Sequence, residues 1–325
     1  MRKMPLENRE ISSSSLILGC MGLGGGWDDS TITSDHIKIA EEAVETALSS
    51  GITMFDHADI YTRGKSEQVF GEVLKSRPSL REQIVIQSKC GIRFDDEKGP
   101  GRYDFSKEYI VDSVDGILNR LNTEYLDILL LHRPDPLMEP EEVAEAFHEL
   151  HRSGKVKHFG VSNMNKSQIQ LLEAYTEQPI IVNQLEMSLN KLDWIDQGVH
   201  VNQNAGNTTH FADGLLEHCM LQNVQIQAWS PLAKGIFSGN AMENMTDAEK
   251  NTALLVEKLA NEKNTSQEAI VLGWLMRHPA KIQPVIGTSN PTRIKNCEDA
   301  IRQSEIMTRE EWYSLYVSAR GNRLP

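Results

Sequence analysis

From residue 16 to residue 301 the chain alternates short apolar runs with longer stretches of helical period, and this constrains its fold more than any other feature. Ile37, Ala40, Val44, Ala47 and Leu48 recur on one helical face, as do Ile110, Val114, Ile117 and Leu121, and again Val143, Phe147 and Leu150. Between these stretches eight strands are predicted, at residues 16–19, 52–56, 84–89, 125–132, 156–162, 180–186, 224–230 and 285–286. The run from Ile128 to Leu131 is apolar on both alternations, as a strand covered on both faces would be. Eight such strands, each followed by a helix, predict an α/β fold: a single (β/α)8 TIM barrel over residues 1–325, with long loops after the third, sixth and seventh strands. A doubly wound sheet fits less well, because no linker or shift in composition divides the repeats.

The three long interruptions, 93–105, 188–210 and the stretch after Ser230, exceed ordinary loop length. All leave the C-terminal ends of predicted strands, where a barrel builds its active site. With 39% hydrophobic and 24% charged residues, a large core is available, and a net charge of −13 (33 basic against 46 acidic residues) opposes non-specific attraction to nucleic acid or anionic lipid. Cys20, Cys90, Cys219 and Cys297 lie far apart, which suggests neither a zinc ribbon nor a disulfide framework. No signal-peptide-like apolar run or membrane-spanning stretch occurs, so a cytoplasmic protein is expected.

Ionisable side chains gather at the expected barrel mouth. Asp56 closes the second strand, Lys89 the third and His132 the fourth, and Tyr61 follows Asp56 by five residues. A tyrosine with an ordinary pKa near ~10 is a poor proton donor at neutral pH, and an adjacent ammonium lowers that value. Lys89 is placed to do this, Asp56 to hold Lys89, and His132 to hydrogen-bond a substrate oxygen. The set suits protonation of a carbonyl oxygen as it becomes an alkoxide.

The segments 54–61 (MFDHADIY), 86–89 (IQSK), 127–132 (DILLLH), 160–163 (GVSN), 183–184 (NQ) and 228–232 (AWSPL) resemble those of the aldo-keto reductase superfamily of bacterial type over nearly the whole chain. The resemblance implies NADPH-dependent reduction of an aldehyde or ketone, with Tyr61 as general acid, Lys89 and Asp56 as its tuning pair and His132 as orienting group. It implies further that Ser162, Asn163 and Gln184 bind the nicotinamide carboxamide, that Trp229 stacks on the ring, and that Cys20 and Met21 line the cofactor. Ser230, Leu232, Lys234 and Gly235 would follow the pyrophosphate, and Gly287, Ser289, Arg293 and Asn296 the adenosine end. Trp27 and Arg133 are expected to line a substrate pocket. Gly287 stands where many members carry Lys, a feature of the potassium-channel-associated subgroup, and Cys297 where many carry Asn.

Other readings fit less well. The glycine run at 19–26 lacks the dinucleotide-binding spacing, since the sixth position from Gly22 is Trp27. A metal-dependent hydrolase built on His57, Asp59, His132 and Asp135 lacks an H-x-H or H-E-x-x-H pattern, so no metal is expected. Ser162 lacks the closing glycine of a nucleophile elbow. A cofactor-binding regulatory or scaffold subunit with little turnover is the alternative from another class, because the catalytic set would be intact in both.

Overall fold

Along the strand Val85–Cys90 the side chains alternate between two environments, and this alternation sets the whole architecture. Val85, Gln87 and Lys89 point to the inside of a barrel, while Ile86 and Cys90 join the outer core beneath the helices. The computed structural model describes residues 3–240 and 244–325. Its strands are β1 (Ile17–Gly19), β2 (Met54–Asp56), β3 (Val85–Cys90), β4 (Ile92–Arg93), β5 (Arg102–Tyr103), β6 (Leu126–Leu131), β7 (Val156–Ser162), β8 (Ile180–Glu186), β9 (Gln225–Trp229) and β10 (Gln283–Ile286). Eight of them close a parallel barrel in the order β1-β10-β9-β8-β7-β6-β3-β2, and helices surround it: the expected (β/α)8 fold.

The helices follow their apolar stripes. Ile110, Val114, Ile117 and Leu121 are fully buried along Lys107–Leu121, each contributing about 1.5–3 kcal/mol. Ser106 begins this helix by accepting a hydrogen bond from the Tyr109 amide, and Asn122 ends it with a left-handed φ of 51°. The helices Ser34–Ser49 and Pro140–Arg152 bury Ala40, Val44 and Ala47, and Val143, Phe147 and Leu150, in the same way.

At the N-terminal end of the barrel the short helix Pro5–Asn8 inserts Leu6, fully buried, among Ile17, Met54, Ile128, Ile181 and Val285, with Ile11 packed beside them. The floor of the barrel is therefore closed by side chains.

Two of the expected loops contain structure of their own. Residues 93–105 hold an antiparallel hairpin, β4 with β5, braced by Arg93 against Asp104 (2.8 Å) and by Arg102 against Asp96 (2.9 Å). It begins at Gly91, whose φ of +105° and missing Cβ let the Phe105 ring pack where a Cβ would stand 2.2 Å from it. Residues 188–210 contain the helix Asp193–Val199, anchored by buried Trp194 against Trp274. The stretch after Ser230 opens with the turn Ala233–Gly235, and residues 241–243 within it lie outside the described residues.

Candidate active site

The register carries the site residues to one mouth. Asp56 ends β2 opposite Gln87 of β3; Lys89, two residues on, faces the same way one layer higher. Lys89 is the penultimate residue of its strand and His132 the first residue beyond β6, one position from the expected ends. Tyr61 opens a turn of 3-10 helix, Tyr61–Gly64, directly after the β2 loop.

The Lys89 ammonium has three partners: Asp56 Oδ2 at 2.7 Å, the His57 carbonyl at 2.8 Å and the Tyr61 hydroxyl at 2.9 Å. Lys89 is fully buried and Asp56 nearly so, which makes the pair strong in effect and costly to break. Burial works against the charge on Lys89, but Asp56 and Tyr61 more than offset it and hold the pKa above the ordinary lysine value. The expectation that Lys89 lowers the Tyr61 pKa overall is corrected. Lys89 does pull it down, but burial pushes harder and the hydroxyl lies above its usual range, so it keeps its proton. His132 stands edge-on to Tyr61, ring centroids 6.0 Å apart. Burial first, then Lys89 and Arg133, hold its imidazole well below the ordinary histidine value. A neutral imidazole offers one N–H donor and one acceptor.

Beside this group Ser162, Asn163, Gln184 and Trp229 come together. Ser162 Oγ donates to the Gln184 carbonyl at 2.9 Å, Asn163 Nδ2 donates to Ser162 Oγ at 2.8 Å, and Trp229 Nε1 donates to Asn163 Oδ1 at 3.1 Å. Asn163 takes a left-handed φ of 59°. The guanidinium of Arg133 lies over the Trp229 ring, 5.6 Å from its centre. Trp27 is half-exposed, on a loop pinned where buried Lys65 pairs with Asp28 at 2.9 Å.

The segments expected to hold the rest of a dinucleotide also meet. Gly235, φ +84°, lets the Arg293 guanidinium and Asn240 come close against the backbone, 2.9 Å and 2.8 Å from where a Cβ would stand. Ser230 and Lys234, with φ of 53° and 60°, shape the turn that carries Gly235 there; Leu232 accepts from the Gly235 amide. Asn290 caps the helix Pro291–Asn296, bonding the Arg293 amide, and Asn296, through its carbonyl, is tied to Ser266. Gly287 opens on empty space and Ser289 is half-buried beyond it. Arg293 makes no ion pair among the described residues; Asp299 is taken by Arg302 at 2.7 Å. This arrangement, a glycine cradle beside an uncommitted guanidinium, fits a phosphate-bearing cofactor.

Cys20 is buried at the end of β1, its thiol against the Leu18 carbonyl and close enough to Asp56 and Lys89 to feel their charges, while its own carbonyl accepts from Ser66 Oγ at 2.8 Å. Met21, half-exposed, remains at the mouth. Among the described residues no cluster of three or more His, Cys, Asp or Glu is arranged to hold a metal ion.

Residues 15–310 match the model of the Aldo/keto reductase family. The chain belongs to the aldo/keto reductase family. Among its reductase relatives, the 6-dehydroglucose reductase of Agrobacterium fabrum is 34% identical over 100% of both chains. The uncharacterized oxidoreductase YcsN of Bacillus subtilis is 36% identical over 87% of this chain and 88% of its own. Two solved structures share the fold at 20% identity: the glycerol dehydrogenase of Gluconobacter oxydans (TM-score 0.75, 96% of this chain and 94% of that one) and an aldo-keto reductase of Klebsiella pneumoniae in complex with NADPH (0.70, 93% and 89%). Family membership makes this reductase an oxidoreductase with carbonyl chemistry. No helix among its described residues is long and apolar enough to cross a membrane.

The sequence reading missed Gln87 and Gln227, which join the Asp56 carboxylate to the barrel interior, and buried Glu67, paired at 2.8 Å with the partly exposed Arg120 behind the Tyr61 turn. Glutamines inside predicted buried strands, Gln87 in β3 and Gln227 in β9, were the available signal.

Proposed function

We propose that the protein reduces an aldehyde or ketone to the alcohol with NADPH, Tyr61 being the general acid. The single observation that carries this reading is the buried contact of Lys89 with both Asp56 and Tyr61. When bound, the reduced nicotinamide supplies a hydride to the carbonyl carbon. Tyr61 gives its proton to the oxygen, Lys89 steadies the phenolate left behind, and Asp56 keeps Lys89 charged and in place. Neutral His132 donates a hydrogen bond to the same oxygen before and during transfer. Ser162, Asn163 and Gln184 would hold the carboxamide and Trp229 the ring, with Ser230, Leu232, Lys234, Gly235, Gly287, Ser289, Arg293 and Asn296 along the remainder. Cys20 and Met21 would line the cofactor, and Trp27 and Arg133 would border the substrate.

Four buried free cysteines agree with a reducing, cytoplasmic setting. With nothing beside a Cβ at Gly287, that position would add no cation to the cofactor grip and Arg293 would supply it.

The test is turnover of a panel of aldehydes, ketones and quinones with NADPH, including the aldehyde-bearing sugar named by the Agrobacterium relative. Consumption of NADPH that depends on the carbonyl supports the reading. Tight NADPH binding without turnover on any member favours a regulatory subunit instead.

A further inference from the structure

Asp56 is held from below as well as from the side. Its Oδ2 receives Lys89, while Oδ1 receives two amide N–H groups, from Gln87 at 2.6 Å and from Gln184 at 3.0 Å. Either amide, turned over, would set an oxygen against the carboxylate. Gln227 prevents this: its Oε1 accepts from the same two nitrogens, at 2.9 Å and 3.0 Å. Its own sense is fixed because its Nε2 donates to Gln87 Oε1 at 3.1 Å and to Gln283 Oε1 at 3.3 Å. Gln283 is fixed in turn by the Ser14 carbonyl, an acceptor only, which takes its N–H at 2.6 Å. The register lays this out directly, with Gln184 opposite Gln227, Gln227 opposite Gln283, and Asp56 opposite Gln87. All four glutamines are buried.

We propose that Gln227 is a positioning residue for the proton donor: a relay of oriented amides, anchored at the Ser14 carbonyl, aims Gln87 and Gln184 at Asp56 and so keeps Lys89 against Tyr61. Networks of this kind act as a unit, because one wrongly turned member leaves the next without a partner in a medium where that is expensive. The kinetic consequence rests on the reductase reading above; the orientation of the amides does not.

Gln227→Met keeps the chain length and removes both functions of the amide. The expected result is a kcat about tenfold lower, the worth of roughly one net hydrogen bond. The alkaline limb of kcat/KM should also rise by about half a unit or more, as Lys89 loses its hold on Tyr61. Gln283→Met, one step further from Asp56, shifts the limb the same way by less, and carries the test if Gln227→Met does not fold. Gln225→Met is the control. Gln225 is buried on the same strand, donates to the Ile226 and Lys281 carbonyls, and stands outside the relay, so its loss lowers stability and leaves the limb in place. An unmoved limb in the folded Gln227 and Gln283 variants, or an equal shift in the Gln225 variant, overturns the proposal. If the wild type reduces no carbonyl, the proposed function fails while the relay is still decided: tyrosinate absorbance of each variant, less that of its Tyr61→Phe counterpart, gives the Tyr61 titration alone. An upward shift supports the relay and none overturns it.

Discussion

Asp59 and Glu67 flank the turn that carries Tyr61 and share one cation, Arg120, which bonds Glu67 at 2.8 Å and leaves Asp59 Oδ1 buried without a partner among the described residues. Burial first, and Glu67 second, push the Asp59 pKa up to about 8. Because the folded value lies above the unfolded one, the fold favours protonated Asp59. Its contribution to stability is therefore full below the unfolded value near ~3.9 and is lost as pH rises to about 8. Asp59→Asn should flatten the decline of Tm over that window and leave the variant more stable than the wild type at alkaline pH. Thermal denaturation of both chains across the window checks it, and parallel curves would refute the assignment.

Tyr61→Phe keeps the ring and removes the proton. Carbonyl reduction should fall by roughly 10²- to 10⁴-fold, with cofactor affinity nearly unchanged because the hydroxyl's partner is Lys89. Steady-state kinetics beside a fluorescence titration with NADPH separates the two effects, and a kcat within a few fold of wild type would remove Tyr61 from the mechanism.

Lys89→Met leaves the Asp56 charge buried beside an uncharged thioether, a loss of about 3–5 kcal/mol for a broken buried pair. Since the folded Lys89 pKa is raised, the stabilisation is complete below the ordinary lysine value and lost as pH climbs through the higher folded one. Denaturant unfolding at neutral pH should show the deficit, which narrows only in strong alkali. With the cation gone, Tyr61 should titrate higher still than in the wild type.

Arg293 is expected to set the choice between dinucleotides. A guanidinium beside the Gly235 cradle can hold a 2′-phosphate in two hydrogen bonds, where NADH offers a neutral hydroxyl. The preference for NADPH should be about 10- to 150-fold, one charged hydrogen bond's worth, towards the lower end because Gly287 adds no second cation. Titration of wild type and Arg293→Ala with both cofactors measures it. Equal binding by the wild type, or an unchanged preference in the variant, would exclude this role.

Much of the fold was legible because apolar residues recur with the period of the element that buries them, in the Ile-Leu-Leu-Leu run at 128–131, covered on both faces, and in the helical stripe at Ile110, Val114, Ile117 and Leu121. Polar strand ends such as Asp56 and Lys89 stood out against that background. The hairpin in 93–105 did not, since its two-residue strands rest on ion pairs between Arg93, Asp96, Arg102 and Asp104 rather than on an apolar pattern. The direction of the Tyr61 pKa was hidden for a different reason. It depends on how much water the neighbours exclude, and sequence order carries no measure of that. The amide relay was equally invisible, because it needs the register of five strands at once.

The stopper that Leu6 makes in the barrel floor turns the site into a blind well with a single door. Whatever enters must leave by the way it came. On the proposed reaction, Tyr61 would regain its proton from that same side, and clearance of the alcohol through the doorway would set the pace wherever it is slow.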